Sequence, residues 1–234
     1  MPPVRRPAVW RADSSKPGPE RVAEARAAKL GVVQALFAAS GVAFPPAQML
    51  LRGFKRDRRL ELWAASGRAG ALRHVTTYEI CYASGDLGPK RREGDAQVPE
   101  GFYVLDLYNP SSRFHLSMQV SYPNESDRIL GDRSRLGGEI MIHGNCVSIG
   151  CLAMSDERIQ ELWVATTALR DAGGKVHVHI FPARDIDGLL GSGGYGGPEH
   201  HDFWRNLKDG KDRFERTRTL PRVRVDPGGR YLFD

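Results

Sequence analysis

Three separated stretches of the chain alternate apolar and polar residues, and this pattern constrains the fold more than any other feature. Leu60, Leu62 and Ala64 alternate with charged or bulky neighbours, and longer alternating runs cover residues 114–122 and 175–181. A period of two places successive side chains on opposite faces of a strand. The sequence therefore predicts a sheet that buries one face.

Start and stop signals predict helices around this sheet. An amphipathic pattern predicts a helix over residues 19–40. Ser155 is a suitable N-cap for a second helix, which the glycine pair 173–174 ends. A short basic helix is predicted over residues 203–216 and a β-hairpin over residues 223–234. The predicted fold class is mainly β with flanking helices, an α+β arrangement.

The charge distribution limits the classes of partner. The 234 residues carry a net charge of +6, and both ends of the chain, residues 1–44 and 205–234, are basic. No run of lysine and arginine is interleaved with aromatic residues, so nucleic-acid binding is not expected. No apolar stretch reaches the length of a transmembrane helix. Residues 30–44 have the small-residue composition of a signal sequence, but Gln34 interrupts them, so we assign them mainly to the N-terminal helix.

Chemistry is concentrated in residues 140–154, which read IMIHGNCVSIGCLAM. The apolar start predicts a buried strand that ends at His143, and Gly144 and Gly150 bracket a polar turn that leads to Cys151. A cysteine becomes a nucleophile when a histidine accepts its proton or lowers its pKa. The spacing allows this base and this thiol to meet.

The other two cysteines allow a redox hypothesis. Cys81 lies in a predicted strand, and Cys146 lies in the turn before Cys151. In an oxidising compartment two of the three can pair, and a Cys146–Cys151 bridge would switch the enzyme off.

The motif carries a family resemblance. His143-Gly144, Ser148 and Gly150-Cys151 resemble the HG…SxGC signature of the L,D-transpeptidase catalytic domain, the YkuD family. The short spacing is similar to that of the YafK-like branch, which includes amidases that act at meso-diaminopimelate in peptidoglycan. The resemblance extends from about residue 43 to residue 184.

The resemblance implies a sheet-rich catalytic domain and an acyl-transfer reaction. Cys151 is then the nucleophile and His143 its base, with a thioester to a peptidoglycan stem peptide. Ser148, Gly150 and Gly144 are expected to orient these groups or to help bind the oxyanion. A backbone carbonyl can hold the imidazole in this family, and no cofactor is expected.

The implied location is the periplasm or cell envelope, which requires export, so a leader has been removed or lies outside this sequence. The expected partners are stem peptides and, for an amidase, a wall-linked lipoprotein. Joining and cutting of peptides both remain open, since both use the thioester.

Three segments are predicted from these patterns. Residues 1–44 form an N-terminal tail and helix, and residues 45–185 form the L,D-transpeptidase-like catalytic domain. Residues 186–234 form a glycine-rich linker followed by the C-terminal helix and hairpin. Within the linker, residues 191–197 contain a literal GxGxxG, but no strand precedes it, so we interpret it as flexible chain and not as a dinucleotide site.

Two loops are candidates for the border of a substrate groove. Residues 86–100 are polar and interrupted by glycine and proline, and residues 122–138 are unusually long for a plain connection. In the second loop, Tyr122, Arg128 and Arg133 are candidates for holding a substrate carboxylate. Salt links of the arginines to neighbouring aspartates are the structural alternative.

The histidines support a weaker hypothesis. His177 and His179 lie on one face of a predicted strand, and His115 lies on the polar face of another. Their spacing, even with residues 200–202, matches no closed zinc site, so no metal is predicted. A non-catalytic wall-binding module and a histidine-based metal-binding protein remain as alternative functions.

Overall fold

The computed structural model describes residues 16–191 and 197–234. The strands are β1 Gln48–Phe54, β2 Arg59–Ala65, β3 Arg73–Glu79, β4 Tyr82–Ala83, β5 Gly101–Asn109, β6 Ser117–Val120, β7 Met141–His143, β8 Leu152–Ala153, β9 Val176–Phe181, β10 Val223–Val225 and β11 Tyr231–Phe233. The helices are α1 Gly18–Ala39, α2 Glu125–Leu130, α3 Asp156–Asp171, α4 Ile186–Gly191 and α5 His201–Thr217.

Nine of the strands in the described residues form one sheet, in the order β3-β2-β1-β9-β5-β6-β7-β8-β4. The β1–β9 and β7–β8 pairs are parallel, and the other pairs of this sheet are antiparallel. This arrangement confirms the predicted fold class of a sheet with flanking helices. The strand β4 is at one edge of this sheet, and it pairs with β8, the strand that follows Cys151.

The main core lies between this sheet and the helices α1 and α3. Val33 and Phe37 of α1 pack into the same cluster as Ile159 and Leu162 of α3 and the apolar face of β2. Burial of each such side chain contributes roughly 1.5–3 kcal/mol. The core therefore fixes the sheet face beneath the motif.

Helix α3 begins immediately after β8 and is capped as the sequence predicts. The Ser155 hydroxyl accepts a hydrogen bond from the Arg158 backbone nitrogen at 3.3 Å. The helix ends at Asp171, before Gly173, whose φ of +79° glycine adopts without the steric cost that a side chain adds. The segment that follows Cys151 is thus anchored by a capped, buried helix.

The C-terminal helix and the predicted hairpin are both present. They close a second apolar cluster at the end of β1 and β9, formed by Phe54, Phe181, Trp204, Leu207 and Tyr231, among others. Glu100 is fully buried there and accepts hydrogen bonds from the Lys55 ammonium at 3.0 Å and from the Trp204 indole at 2.7 Å. Residues 186–191, predicted as the beginning of a glycine-rich linker, form the helix α4, and residues 192–196 of that linker lie outside the described residues.

The predicted strand over residues 114–122 is wrong at its beginning, because β6 starts only at Ser117. His115 has a φ of +68°, which is incompatible with a strand. The Arg21 guanidinium of α1 donates to the carbonyl oxygens of Ser112 and His115 at 2.6 and 2.9 Å. These bonds hold the segment against α1 and keep it out of the sheet.

The long connection after Tyr122 contains the short helix α2, which the sequence analysis interpreted as loop. Asn124 caps this helix by accepting from the Asp127 backbone nitrogen at 3.0 Å. The Asp127 carboxylate accepts in return from the Asn124 backbone nitrogen at 3.1 Å. This reciprocal pair is a capping box.

Candidate active site

The turn between β7 and β8 carries the motif. The two strands are parallel, with Ile142 opposite Leu152 and His143 opposite Ala153. A Cβ atom at residue 144 would lie 2.6 Å from the Asp156 carboxylate and 3.0 Å from a backbone oxygen, so only glycine fits there. The parallel register, extended by one residue, therefore places Cys151 opposite Met141, two residues along the neighbouring strand from His143.

The Cys151 thiol is partly buried at the start of β8. Its sulfur accepts a hydrogen bond from the Met141 backbone nitrogen at 3.3 Å and lies 3.7 Å from the Glu139 carbonyl oxygen. Burial raises the pKa of this thiol above its ordinary value, although the Met141 N–H and Ser148 oppose the shift. The resting cysteine is therefore a neutral thiol at pH 7.

The His143 imidazole is only 1% exposed and packs against the Phe114 ring, with 4.7 Å between ring centroids. Burial lowers its pKa, although its bond to the Gly144 carbonyl opposes the shift. Nδ1 lies 2.6 Å from that carbonyl oxygen, which can only accept, so Nδ1 carries the proton. In the neutral ring, Nε2 is then left with a lone pair and can act as a base.

No hydrogen bond joins the His143 ring to the Cys151 thiol within residues 16–191 and 197–234. The Gly144 carbonyl holds the imidazole, as the family resemblance implied that a backbone carbonyl can. In the free protein the Cys151 thiol and the His143 imidazole are therefore both uncharged, and two adjacent strands position them.

Two serine hydroxyls accept hydrogen bonds from the consecutive backbone N–H groups of Gly150 and Cys151. Ser148 Oγ accepts from the Cys151 backbone nitrogen at 2.8 Å and donates to the Cys151 carbonyl at 2.8 Å. Ser84 Oγ accepts from the Gly150 backbone nitrogen at 2.5 Å and donates to the Ala96 carbonyl at 2.8 Å. Ser148 thus contacts Cys151 and not His143, and the Gly150 N–H expected at the oxyanion is already engaged.

The sequence analysis missed Ser84. It lies 66 residues before Gly150, outside the motif, and no local pattern distinguishes it. The antiparallel pairing of Tyr82 with Ala153 and of Ala83 with Leu152, extended by one residue, places Ser84 opposite Cys151. Only knowledge of this strand pairing identifies it.

The disulfide joins Cys81 to Cys146, with 5.5 Å between their Cα atoms. Among the pairings that the sequence left open, this one excludes the hypothetical Cys146–Cys151 bridge in this structure. The pairing of β4 with β8 brings Cys81 beside the turn, while the Cys151 sulfur is held by the Met141 and Glu139 backbone. In the described chain, which includes all three cysteines, Cys151 has the free thiol.

The sequence of this chain is similar to known proteins. Residues 42–178 match the family described as YkuD, L,D-transpeptidase catalytic domain. The chain is 41% identical over 182 residues to the Escherichia coli (strain K12) protein named "Putative L,D-transpeptidase YafK", and the match covers 76% of this chain and 71% of that protein.

The chain belongs to the YkuD family of L,D-transpeptidase catalytic domains. This membership places it in the L,D-transpeptidase enzyme class, which acts on peptidoglycan.

Solved structures are also similar to this chain. The helical cell shape determining protein Pgp2 from Campylobacter jejuni is 17% identical, with a TM-score of 0.47 over 83% of this chain and 80% of that chain. Bd1075 from Bdellovibrio bacteriovorus is 20% identical, with a TM-score of 0.42 over 74% of this chain and 58% of that chain.

None of the three residues predicted to hold a substrate carboxylate is among the hydrogen-bond partners of the Cys151 thiol in the described residues. Tyr122 is 4% exposed, and its hydroxyl donates to the Leu136 carbonyl at 3.1 Å. Arg128 and Arg133 line a cavity of about 430 Å³ beside α2. No ion pair joins either arginine to Asp127 or Asp132 within the described ranges. Their substrate role stays a prediction.

A cavity of about 260 Å³ adjoins the L,D-transpeptidase motif. Its lining includes Gly150 and Glu139, whose carbonyl contacts the thiol, and the side chain of Ile149, which is 84% exposed. Glu93 and Glu139 provide carboxylates, whereas the Lys90 ammonium is bound by Asp95 at 2.6 Å. The space beside the thiol is therefore acidic.

The histidines are not gathered into a metal site in the part of the chain that the structure describes, where no cluster of three His, Cys, Asp or Glu side chains occurs. His179 is buried, and burial holds its pKa well below the ordinary value. His115 contacts the Gln160 amide at 3.0 Å. Among the described helices, none has the length and apolar character needed to cross a membrane.

Proposed function

We propose that this L,D-transpeptidase-family protein is a cysteine peptidyltransferase that forms a thioester between Cys151 and a peptidoglycan stem peptide at meso-diaminopimelate. One observation carries the proposal. The free thiol of Cys151 immediately precedes β8, which is paired with the strand that ends at His143. The Nδ1 bond to Gly144 leaves Nε2 of that histidine as a proton acceptor.

Proton transfer from thiol to imidazole occurs in the substrate complex. Burial favours the uncharged form of both groups in the free protein, so little thiolate exists before substrate binds. When the peptide carbonyl lies against the sulfur, His143 Nε2 takes the thiol proton as the C–S bond forms. The same proton then passes to the departing amine as the amide C–N bond breaks.

The tetrahedral intermediate carries an oxyanion that needs hydrogen-bond donors. The donors beside the thiol are the Cys151 N–H and the Ser148 hydroxyl, which are bonded to one another in the free protein. The Cys151 N–H donates to Ser148 Oγ, and the Ser148 hydroxyl donates to the Cys151 carbonyl oxygen. We propose that the substrate oxygen replaces one of these two acceptors. Gly144 and Gly150 serve this step by allowing the close approach and the φ of +90° that the turn requires.

The acceptor decides the product. An amine of a second stem peptide gives a crosslink, which corresponds to the transpeptidase activity in the name of the Escherichia coli relative. Water gives cleavage at diaminopimelate, and a lipoprotein attached there would be released. Tyr122, Arg128 and Arg133 are proposed to contact the more distant part of the peptide, and the periplasm or cell envelope is the proposed location.

Purified protein incubated with diaminopimelate-containing muropeptides tests this function. We expect new products by mass spectrometry, with crosslinked peptide rising when an amine acceptor is added if the enzyme joins stems. Cleaved stem alone identifies an amidase. Cys151→Ala and His143→Gln are expected to abolish both products. Binding of muropeptides without any turnover would instead support a non-catalytic wall-binding module.

A further inference from the structure

A second cavity is lined by Ser84, whose hydroxyl is hydrogen-bonded to Gly150 and Ala96 of the acidic space beside the thiol. Its volume is about 450 Å³, and its lining comes from the β1–β2 turn and from the segment that follows β4. The turn contributes Lys55, Arg56 and Arg58, and the segment contributes residues 83–87. This space is called the basic cavity below.

The basic cavity adjoins the nucleophile through Ser84. Ser84 lines the cavity, and its hydroxyl accepts from the backbone nitrogen of Gly150, the residue before Cys151. The β4–β8 register, extended by one residue, places Ser84 opposite Cys151, and neighbouring strands lie about 4.8 Å apart. A peptide bound at the thiol can therefore reach this cavity with its next groups.

The charge of the basic cavity comes from its two arginines. The Lys55 ammonium is buried and bonded to Glu100 and to the carbonyl oxygens of Gly88 and Val98, so its charge is already compensated. Arg56 and Arg58 are exposed, and Asp86 is the acidic residue in the lining. Within residues 16–191 and 197–234, the Arg58 side chain forms no ion pair.

The backbone of the turn holds both arginines in place. The Arg58 nitrogen donates to the Lys55 carbonyl at 3.2 Å, and its carbonyl accepts from Ile80 at 2.9 Å. The Arg56 nitrogen donates to the Pro182 carbonyl at 2.9 Å. Both arginines thus project from a hydrogen-bonded turn. Because the backbone of this turn is already ordered, ligand binding loses less conformational entropy.

The acidic space and the basic cavity, which both adjoin Ser84 or its hydrogen-bond partners, differ in charge. The space beside the thiol contains the carboxylates of Glu93 and Glu139, whereas the basic cavity contains the guanidinium groups of Arg56 and Arg58. A substrate carboxylate is repelled by the acidic space and attracted by the basic cavity. There a guanidinium can bind it with two parallel hydrogen bonds.

We propose that the basic cavity binds a carboxylate of the peptide whose acyl group is transferred to Cys151, and thereby orients that peptide along the β4–β8 edge. The inference rests on the proposed function, because it assumes a peptide substrate at Cys151.

Binding of a stem tetrapeptide to the full chain carrying Cys151→Ala tests the proposal without turnover. Three peptides are compared: one with free carboxylates, one amidated at its C-terminus and one amidated at its side-chain carboxylates. Each is titrated by calorimetry against Cys151→Ala alone and against the same protein with Arg56→Gln and Arg58→Gln.

We expect the double substitution to raise the Kd of the free-carboxylate peptide about tenfold. We expect one of the two amidated peptides to lose the same affinity and to be insensitive to the substitution, which identifies the carboxylate. Arg58→Lys is expected to restore part of the affinity. Arg59→Gln is the matched control on the same hairpin, since Arg59 faces Glu79 at 4.0 Å and does not line the cavity.

The failures of the two proposals are distinguishable. If the unmodified protein turns over stem peptides while the arginine variants and both amidated peptides bind as before, the basic cavity is not a carboxylate site and the proposed function stands. If no stem peptide binds and none is turned over, both proposals fall. Circular dichroism and thermal unfolding of each variant confirm that it is folded.

Discussion

The Ser84 hydroxyl accepts a hydrogen bond from the Gly150 backbone nitrogen at 2.5 Å, across 66 residues of sequence. The Cys81–Cys146 disulfide and the pairing of β4 with β8 also join the β4 segment to the turn and the strand on either side of the nucleophile. The β4 edge strand therefore fixes the backbone from which Cys151 projects.

Removal of the Ser84 hydroxyl is expected to slow catalysis. Ser84→Ala frees the Gly150 N–H and lets the turn shift, and a displacement of about 1 Å at a reacting group can cost up to a hundredfold in rate. Steady-state kinetics with a stem peptide should show a lower kcat, and Ser84→Thr, which keeps the hydroxyl, should restore most of it. An unchanged kcat in Ser84→Ala would refute the positioning role.

The disulfide is expected to leave one reactive thiol and to stabilise the fold. Iodoacetamide should add one group to the native, unreduced protein and none to Cys151→Ala, as measured by intact mass. The disulfide closes a loop with a sequence separation of 65 residues. Loop-closure entropy predicts that Cys81→Ser with Cys146→Ser lowers the free energy of unfolding by roughly 4 kcal/mol, measured by urea denaturation. Addition of three groups to the native protein would contradict the pairing.

The alkylation rate of Cys151 is expected to depend on pH as for a buried neutral thiol. Burial raises the pKa of this thiol, so the rate should keep rising above pH 8.5, the ordinary cysteine pKa. His143→Gln should leave this profile nearly unchanged, because burial keeps the imidazole neutral in the free protein. Rapid alkylation at pH 6 that disappears in His143→Gln would show a resting thiolate–imidazolium pair and contradict the proposed resting state.

Asp127 is expected to make stability depend on pH. Its fully buried carboxyl accepts from the Tyr103 hydroxyl at 3.0 Å, and burial raises its pKa to about 6, above the unfolded value of about 3.9. The folded state therefore binds the proton more tightly. The resulting stability is fully present below about pH 3.9 and is lost as the pH rises through about 6.

Asp127→Asn mimics the protonated carboxyl. It should therefore remove the loss of stability that occurs as the pH rises through about 6. Relative to the unmodified protein, the variant should gain up to about 3 kcal/mol in free energy of unfolding between pH 4 and pH 8. Urea denaturation across this range measures the difference. Asp132→Asn, at a half-buried carboxylate whose pKa is lowered by hydrogen bonds from Ser134, is the control and should not show this gain. A difference between Asp127→Asn and the unmodified protein that does not vary with pH would contradict the raised pKa.

Local signals in the sequence predicted the elements that depend on local chemistry. The Ser155 cap, the terminal hairpin and the strand that ends at His143 all appear where the residue pattern places them. The helix α2 was missed because its capping box uses aspartate at the third position, in a segment whose charges suggested loop. The late start of β6 depends on Arg21, which lies 94 residues before His115.

The arrangement around the thiol could be predicted only in part, because its supports are distant in sequence. The motif identified Cys151 and His143 as candidates, but Ser84 and Cys81 reach the turn only through the pairing of β4 with β8. Periodicity does not specify which strands pair. The same limit left the choice among the three cysteine pairings open, since only the sheet places Cys81 beside Cys146.

Intact-mass spectrometry of the acid-quenched protein, after brief incubation with a diaminopimelate-containing stem tetrapeptide, tests the central claim most directly. The account predicts an added mass equal to the peptide minus its departing amine. Peptide mapping should locate this mass at Cys151, hydroxylamine should remove it, and Cys151→Ala should lack it. Full turnover of the stem peptide by Cys151→Ala, with no adduct on the unmodified protein, would contradict the account.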